Sequence, residues 1–248
     1  MTERSEGLEV PFFEIADWAD RFPWLFCGIT HSGLPDEPFD LRRLGDGRSI
    51  RTTKRWGDLL RMSGFGSVIH ARQVHGTKVL IHDTPGIGVR EADEAADGHV
   101  TSAVGLLVAI TVADCVPVYI IDAKKRLVAL LHAGWRGTAD GILSVGISVL
   151  RERWQSEPRH LWVHLGPAIC GRCYEVGPEI FEALAQPYRP LPGLVDIRQI
   201  LASQAQKVGV GAAQITISKD CTLCGESKFF SHRGGRSERQ AAILGVRP

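Results

Sequence analysis

The sequence carries almost no excess charge of either sign. Its 29 Lys and Arg residues nearly balance its 28 Asp and Glu residues, so the formal net charge is +1 at pH 7. A strongly basic composition, which would draw a protein to nucleic acid or to anionic membranes, is therefore absent. We expect neither a nucleic-acid partner nor a membrane partner, and any basic site must be local.

The sequence also lacks an uninterrupted apolar run long enough to cross a bilayer. Asp114 and Pro117 break the longest apolar stretch before it reaches the length of about 20 residues that a spanning helix needs. The first residues, MTERSEGLEV, are charged and lack the apolar core of a secretory signal peptide. We therefore expect a soluble, cytoplasmic protein, and we predict a monomer.

Cysteine is too sparse for a disulfide scaffold, with six residues in a chain of 248. Two Cys-x-x-Cys pairs, Cys170/Cys173 and Cys221/Cys224, suggest a structural zinc site. The 47 residues between the pairs are, however, many more than in common four-cysteine zinc modules. The sequence therefore favours inert or site-adjacent thiols over a structural zinc site or a redox pair, and Cys27 is expected in the core.

Internal repeats, low-complexity tracts and obvious linkers are also missing, which favours one mixed α/β domain over residues 1–248. Residues 1–50 are expected to form an N-terminal arm and loops packed on it. Apolar spacing predicts helices and strands over the rest of the chain. The predicted helices are Arg51–Met62, Gly141–Trp154, Pro178–Ala185 and Ile197–Val208 with Asp196 as cap, and the predicted strands are Val68–Val74, Lys78–His82, Leu106–Ala113, Val116–Asp122, Leu127–Leu131, Leu161–Leu165, Ala213–Ile217 and Phe229–His232.

Three reactive side chains follow predicted strands. Cys115 follows Leu106–Ala113, His132 follows Leu127–Leu131, and His75 follows Val68–Val74. If adjacent strands bring them together, one thiolate and two imidazoles suit zinc and leave a fourth position open for water or substrate. The same residues also fit a Cys115 nucleophile with a histidine base, and the sequence leaves both interpretations open.

Charged residues beside this trio could handle an anionic or polar substrate. Asp114 and Arg136 flank Cys115 and His132, and Arg233 lies in a Gly-rich segment near the C-terminus. A guanidinium group matches the geometry of phosphate, so Arg136 and Arg233 are the best local candidates for anion binding.

The acidic segment 91–98, EADEAADG, is expected to be a solvated loop.

Seven short motifs appear in the order known from one family. They are RQVHG at 72–76, ADG at 96–98, TVADCVPV at 111–118, HAGWRG at 132–137, GPAICGRCYEVG at 166–177, DCT at 220–222 and FFSHRGG at 229–235. By these motifs the chain resembles the YfiH-like, laccase-domain family, also called multicopper polyphenol oxidase or peptidoglycan-editing factor and now described as a family of purine nucleoside phosphorylases and adenosine deaminases.

This resemblance implies a fold, a cofactor and an activity. The implied fold is a mixed β-sheet sandwiched by helices, and the family's zinc ligands fall on His75, Cys115 and His132. The implied activity is phosphorolysis of adenosine, inosine, guanosine or methylthioadenosine, together with deamination of adenosine. We predict catalytic roles for the three ligands, Asp114 and Arg136. We predict that Arg136, Arg233 and Gln73 bind the nucleoside or phosphate.

Two alternatives to a zinc-dependent enzyme that acts on nucleosides stay open. The first is a Cys-His hydrolase that acts on an amide or ester, for instance in a peptidoglycan precursor, and the second is a zinc-stabilised binding module. Copper is the less favoured metal, because multicopper oxidases use paired His-x-His motifs and no histidine of this sequence has another two positions away. Copper could still occupy the three-ligand site by its general affinity.

Overall fold

The computed structural model describes residues 10–42 and 50–248. The predicted single domain over residues 1–248 stays a prediction, because residues 1–9 and 43–49 lie outside this part. The described helices are α1 (Ala16–Arg21), α2 (Ile50–Ser63), α3 (Trp135–Ala139), α4 (Ile142–Trp154), α5 (Pro178–Ala183) and α6 (Ile197–Lys207). The described strands are β1 (Phe12–Glu14), β2 (Leu25–Thr30), β3 (Gly33–Leu34), β4 (Glu37–Pro38), β5 (Ser67–His70), β6 (Val79–His82), β7 (Gly88–Glu91), β8 (Gly98–Thr101), β9 (Leu106–Val112), β10 (Val116–Asp122), β11 (Leu127–Ala133), β12 (Leu161–Leu165), β13 (Glu175–Val176), β14 (Gly193–Leu194), β15 (Ile215–Ile217) and β16 (Gln240–Val246).

Two six-stranded mixed sheets form the centre of the molecule. The first has the strand order β1-β2-β16-β9-β5-β7, and the second has the order β15-β12-β10-β11-β8-β6. In the first sheet, β5 is parallel to β9 while β16 is antiparallel to it. In the second, β10 lies antiparallel between β11 and β12. The predicted mixed α/β fold is confirmed, and the structure divides its strands between two sheets.

Alternating side chains of the central strands divide the core into layers. Leu106, Val108 and Ile110 of β9 pack with Tyr119 and Ile121 of β10 between the two sheets. The intervening residues of these strands face outward, as the period of two along a strand requires. Outward residues of the first sheet pack against α2, and those of the second sheet pack against α4, α5 and α6. Helices therefore cover both outer faces of the paired sheets.

Two strands of residues 10–42, β1 and β2, are built into the first sheet rather than packed only on its surface. Every residue of β2 is buried, and β2 pairs with β1 on one side and with β16 on the other. The predicted arm thus contains a central strand, while its residues 1–9 and 43–49 fall outside the described part of the chain. The strand β16 had no counterpart among the sequence predictions, although all seven of its residues are buried.

The helices and strands that the sequence did predict lie close to their predicted positions, with two differences near the candidate site. The strand β5 ends at His70, four residues earlier than predicted, so His75 lies in a turn. Phe229–His232 does not form a strand. The predicted cap of α6 is confirmed, since the Asp196 carboxylate accepts a hydrogen bond from the Arg198 N–H at 3.0 Å.

Candidate metal centre and adjoining cavities

His75, Cys115 and His132 meet where the chain crosses between the two sheets. Their ligand atoms, one sulfur and two ring nitrogens, all lie within 4.8 Å of one another. The pairing of Val116 with Ala133 in β10 and β11 places Cys115 beside the end of β11, next to His132. The strands that precede the three residues are not all neighbours, because β5 and β9 belong to the first sheet and β11 belongs to the second. It is the pairing of β10 with β11 that assembles the site.

A buried carboxylate, that of Asp97, orients two of these three residues. Asp97 is fully buried and its Oδ1 atom lies 2.8 Å from Nδ1 of His132. This contact leaves Nε2 of His132 free to face Cys115 and a metal ion. Asp97 also accepts hydrogen bonds from three consecutive backbone N–H groups, those of Val74, His75 and Gly76, at 2.8–3.0 Å. A carboxylate behind a ligating histidine fixes the ring and raises its basicity, as in many metal sites.

The turn that carries His75 is held in an uncommon backbone conformation. His75 has a φ of 60°, in the left-handed region that side chains with a Cβ adopt rarely. The three N–H groups that bind Asp97 come from this turn, so the carboxylate compensates for its strain. Burial would raise the pKa of Asp97, but the hydrogen bond with His132 and those from the turn lower the pKa of this carboxyl below its ordinary value.

Gly134 leaves room for two of the ligands. A Cβ atom at this position would lie 3.0 Å from Sγ of Cys115 and 3.0 Å from Cδ2 of His75. Both distances are shorter than ordinary van der Waals contacts, so any side chain would push the ligands apart. The first glycine of the HAGWRG motif is therefore required by the site itself.

Replacing Gly134 with alanine should weaken metal binding without unfolding the protein. Overpacking typically costs about 1–3 kcal/mol, which corresponds to about a five- to 150-fold loss of metal affinity. Competition with a chromogenic chelator measures this loss. Gly57→Ala in α2 is the matched control, because its added Cβ would meet a side-chain atom only at 3.5 Å. Equal metal affinity of the Gly134→Ala variant and the wild type would contradict the proposed crowding.

The trio is also an electrostatic unit. Burial alone would raise the pKa of the Cys115 thiol, but the charge of His132 and hydrogen bonds with His132 and His75 lower it to about 6. Burial would likewise lower the pKa of His132, yet the charge of Cys115 and the bond to Asp97 raise it to about 9. Without a metal, the site therefore favours a thiolate beside an imidazolium. A divalent cation can replace that imidazolium charge.

Two cavities meet at this trio and share His75, Ala113, Cys115 and His232 in their walls. The larger has a volume of about 540 Å³. The smaller, about 360 Å³, lies on the side of Arg136 and Arg233. The remaining walls of the larger cavity are Arg42, Ala71, Arg72, Gln73, Thr111, His132, Ser237 and Arg239, and those of the smaller are Asp114, Val116, Ala133, Gly134, Trp135, Arg136, Ile169, Tyr174, Ile197 and Arg233.

Arg136 and Arg233 converge on the smaller cavity from separate elements. Arg136 is the second residue of α3, and its guanidinium carbon lies 4.3 Å from the centre of the Trp135 ring. Arg233 lies 5.1 Å above the Tyr174 ring and donates one hydrogen bond to the Glu175 carbonyl at 2.9 Å. Both guanidinium groups are otherwise exposed and have N–H donors left for an anion.

Both carboxylate oxygens of Asp114 accept hydrogen bonds from other residues of the protein. Its Oδ1 atom accepts a hydrogen bond from the Thr222 hydroxyl at 2.5 Å, and its Oδ2 atom accepts one from the Arg233 backbone N–H at 2.7 Å. Its φ of 85° is again in the left-handed region. These contacts tie the Arg233 segment to the residue that precedes Cys115.

Gln73 binds the backbone of β9 across the larger cavity. Its amide oxygen accepts hydrogen bonds from the N–H and hydroxyl of Thr111 at 2.8 and 3.0 Å, and its amide nitrogen donates to the Thr111 carbonyl at 2.8 Å. One N–H of the amide is left for the cavity. The role of Gln73 in substrate binding stays a prediction.

Sequence reasoning missed the importance of Asp97. The acidic segment 91–98 was expected to be solvated, and this holds for Asp93 and Glu94, which are exposed, but is wrong for Asp97. The available signal was the composition around it: Asp97 lies between Ala96 and Gly98, whereas the exposed acids lie among other charges. Tyr174, which also lines the smaller cavity, was not assigned to the site either.

Residues 45–247 match the family model described as "Multi-copper polyphenol oxidoreductase laccase". The chain belongs to this family. Its relatives include the "Purine nucleoside phosphorylase" of Xylella fastidiosa (strain 9a5c), which is 32% identical over 251 residues that cover 93% of this chain and 95% of the relative. "Adenosine deaminase RL5" from an unknown prokaryotic organism is 31% identical over 182 residues, 67% of this chain and 69% of that protein.

A solved structure of a similar protein shows the same fold. The crystal structure of YlmD from Geobacillus stearothermophilus aligns with a TM-score of 0.83 and 25% sequence identity, and the alignment covers 98% of both chains. The predicted family and fold are thereby confirmed. Among the described residues, no helix is both long and apolar enough to cross a membrane.

Proposed function

We propose that this protein is a zinc-dependent purine nucleoside phosphorylase that also deaminates adenosine. The observation that carries the proposal is the His75, Cys115 and His132 trio, backed by Asp97 and open to two cavities. Relatives named as a purine nucleoside phosphorylase and an adenosine deaminase support the substrate class. The substrates proposed are adenosine, inosine, guanosine and methylthioadenosine, together with phosphate.

The donor set fits zinc better than copper. One thiolate and two imidazoles are typical zinc ligands, and three protein ligands are the usual number at catalytic zinc sites. The trinuclear clusters of multicopper oxidases need many more histidines than the two that converge here. Zinc held by this trio would supply a Lewis acid that polarises a substrate group. His132 would be kept in the correct tautomer by Asp97.

The smaller cavity suits phosphate. Arg136 and Arg233 present positive charge there, and a guanidinium fork matches the oxygens of phosphate. Asp114 would not touch the substrate in this scheme. It would be a positioning residue that holds the Arg233 backbone, because both of its oxygens already accept hydrogen bonds.

The larger cavity suits the nucleoside. At about 540 Å³ it falls in the range of ordinary small-molecule sites. Gln73 would fix its wall through Thr111 and offer one N–H to the ligand. The ribose would then lie near His75 and Cys115, where the two cavities meet. The phosphate would lie on the other side of the trio, in the smaller cavity.

The direct test is incubation of zinc-loaded protein with adenosine, with and without inorganic phosphate, followed by chromatography of the purines. Phosphorolysis gives adenine only when phosphate is present, and deamination gives inosine in both samples. Inosine as substrate should give hypoxanthine in the presence of phosphate. Failure of all three products to appear would overturn the proposed function.

Replacing Arg136 with alanine should impair phosphorolysis more than deamination. A hydrogen bond to a charged group contributes about 1.5–3 kcal/mol, so kcat/KM for phosphate should fall about ten- to hundredfold. Deamination, which consumes no phosphate, should change much less. Arg151→Ala in α4 is the control, since this exposed arginine lines neither cavity. An unchanged kcat/KM for phosphate would remove Arg136 from the phosphate site.

A second candidate is favoured by one observation, the chain of contacts from Cys115 through His132 to Asp97. A thiol whose pKa is lowered to about 6, beside a histidine oriented by a carboxylate, also fits a Cys-His hydrolase of amides or esters, such as a peptidoglycan precursor. An alkylating reagent then labels Cys115 stoichiometrically and abolishes activity, and a chelator has no effect on activity. Activity that a chelator removes and zinc restores excludes this candidate.

We further propose a cytoplasmic location and a monomeric state. The described cysteines are all free, which suits a reducing compartment. Each ligand of the candidate site also comes from the same chain, so the site needs no second copy.

A further inference from the structure

The four cysteines of the two Cys-x-x-Cys pairs meet in space. The sulfur atoms of Cys170, Cys173, Cys221 and Cys224 all lie within 4.8 Å of one another. The sequence favoured inert or site-adjacent thiols because the pairs are far apart in the chain. Distance along the chain did not show that neighbouring strands of a sheet bring the two pairs together. The strands β12 and β15 are parallel neighbours, so the loops that follow them leave the sheet at the same end.

Backbone contacts continue this pairing up to the cysteines. Ala168 and Cys221 form an isolated parallel bridge, and the Thr222 N–H donates to the Ala168 carbonyl at 3.2 Å. Arg198 stabilises the loop that follows β15, which is the second of the two loops. Its guanidinium group donates to the carbonyls of Ser218 and Asp220, each at 2.8 Å. The fold itself therefore brings the two pairs together.

One of the four sulfurs receives three backbone N–H groups. The N–H groups of Cys170, Leu223 and Cys224 point at Sγ of Cys221, at 3.3, 3.4 and 3.5 Å. Neutral thiols and disulfide sulfurs are weak acceptors, whereas a thiolate gains from several donors. Such donors around a cysteine ligand are the contacts that support metal-bound sulfur.

We propose that these four cysteines bind one zinc ion as a closed, structural tetrathiolate site. Four cysteine ligands in two Cys-x-x-Cys pairs are a standard set for structural zinc, and they leave no open position for chemistry. This site is separate from the open trio of His75, Cys115 and His132. The protein would then hold a second zinc equivalent per chain.

The tetrathiolate site would clamp the two loops that border the candidate active site. Ile169, next to Cys170, donates its N–H to the Asp114 carbonyl at 3.1 Å, and Thr222, next to Cys221, binds the Asp114 carboxylate. The second loop continues to Arg233. If the proposed phosphorylase function holds, loss of this zinc should therefore raise KM for phosphate, whereas zinc binding itself does not depend on that function.

Zinc content measured by mass spectrometry of gel-filtered protein tests the site. We expect the Cys221→Ser/Cys224→Ser double variant to lose one zinc equivalent and Cys115→Ala to lose the other. Cys27→Ser, which removes a buried cysteine outside both groups, should keep both. The proposal is overturned if the wild type holds a single zinc equivalent that Cys115→Ala removes.

A second measurement covers the case in which the double variant does not fold. The Cys115→Ala variant, which keeps the four cysteines, is stripped of metal and reloaded with one equivalent of cobalt(II). Four thiolate ligands should give intense sulfur-to-cobalt charge-transfer absorption with the d–d bands of a tetrahedral ion. Absence of these bands would overturn the proposal, as would native thiol titration showing that two of the four cysteines form a disulfide.

Discussion

Replacing Cys115 with alanine is expected to remove the metal from the open trio and to abolish turnover. The sulfur is the one anionic ligand of the site, and two imidazoles alone form a much weaker set for zinc. Metal-ion catalysis lowers the activation barrier by several kcal/mol, so the rates of both phosphorolysis and deamination should fall about a thousandfold or more. Metal analysis and initial rates with adenosine measure the two effects.

The fold of this variant should survive. Cys115 lies at the edge of β10 beside the cavities rather than within either hydrophobic layer, so truncation creates little buried void. Cys27→Ser serves as the control for the loss of a thiol elsewhere, and its rates should stay close to those of the wild type. Full activity of Cys115→Ala would refute the zinc mechanism and the Cys-His mechanism together.

Replacing Asp97 with asparagine is expected to damage both the metal site and the turn behind it. Loss of a carboxylate that supports a ligating histidine typically lowers metal affinity about 10- to 100-fold. An asparagine also directs an NH₂ group toward N–H donors of residues 74–76, which then lose an acceptor. Leaving such a buried donor unpaired costs about 1–3 kcal/mol, so the free energy of unfolding should fall by a similar amount.

Asp93→Asn is the matched control for Asp97→Asn. Asp93 lies four residues away in the same acidic segment, but its side chain is exposed. Its substitution removes the same charge and should leave metal affinity and the unfolding midpoint nearly unchanged. Equal behaviour of the two variants would show that Asp97 acts only through the net charge of the segment.

Periodicity and residue chemistry predicted much of the scaffold. The helical spacing of residues in α4 and the cap of α6 are confirmed by the structure. The apolar runs that form β9, β10 and β11 were predicted because their length and boundaries are typical of buried strands. The same runs indicated Cys115 and His132, since reactive side chains directly after buried strands lie at the edge of the core.

Those local patterns do not encode which strands pair with each other or which distant residues meet in space. An apolar run does not specify the sheet to which it belongs, so the division of β9 and β10 between two sheets was not foreseen. The strand β16, QAAILGV, is buried along its whole length and shows no alternation to reveal it. Asp97 was grouped with its exposed acidic neighbours although Ala96 and Gly98 flank it, and the four cysteines meet through the parallel pairing of β12 with β15.

The central claim is that the open trio carries phosphorolysis of a purine nucleoside, and phosphorus NMR tests it most directly. Zinc-loaded protein with adenosine and inorganic phosphate should form a ribosyl phosphate ester in a one-to-one ratio with the free purine bases, adenine plus any hypoxanthine that follows deamination. Removal of zinc by a chelator should stop both products, and added zinc should restore them. Release of adenine with free ribose, or formation of the ester at an unchanged rate by Cys115→Ala, would contradict the account.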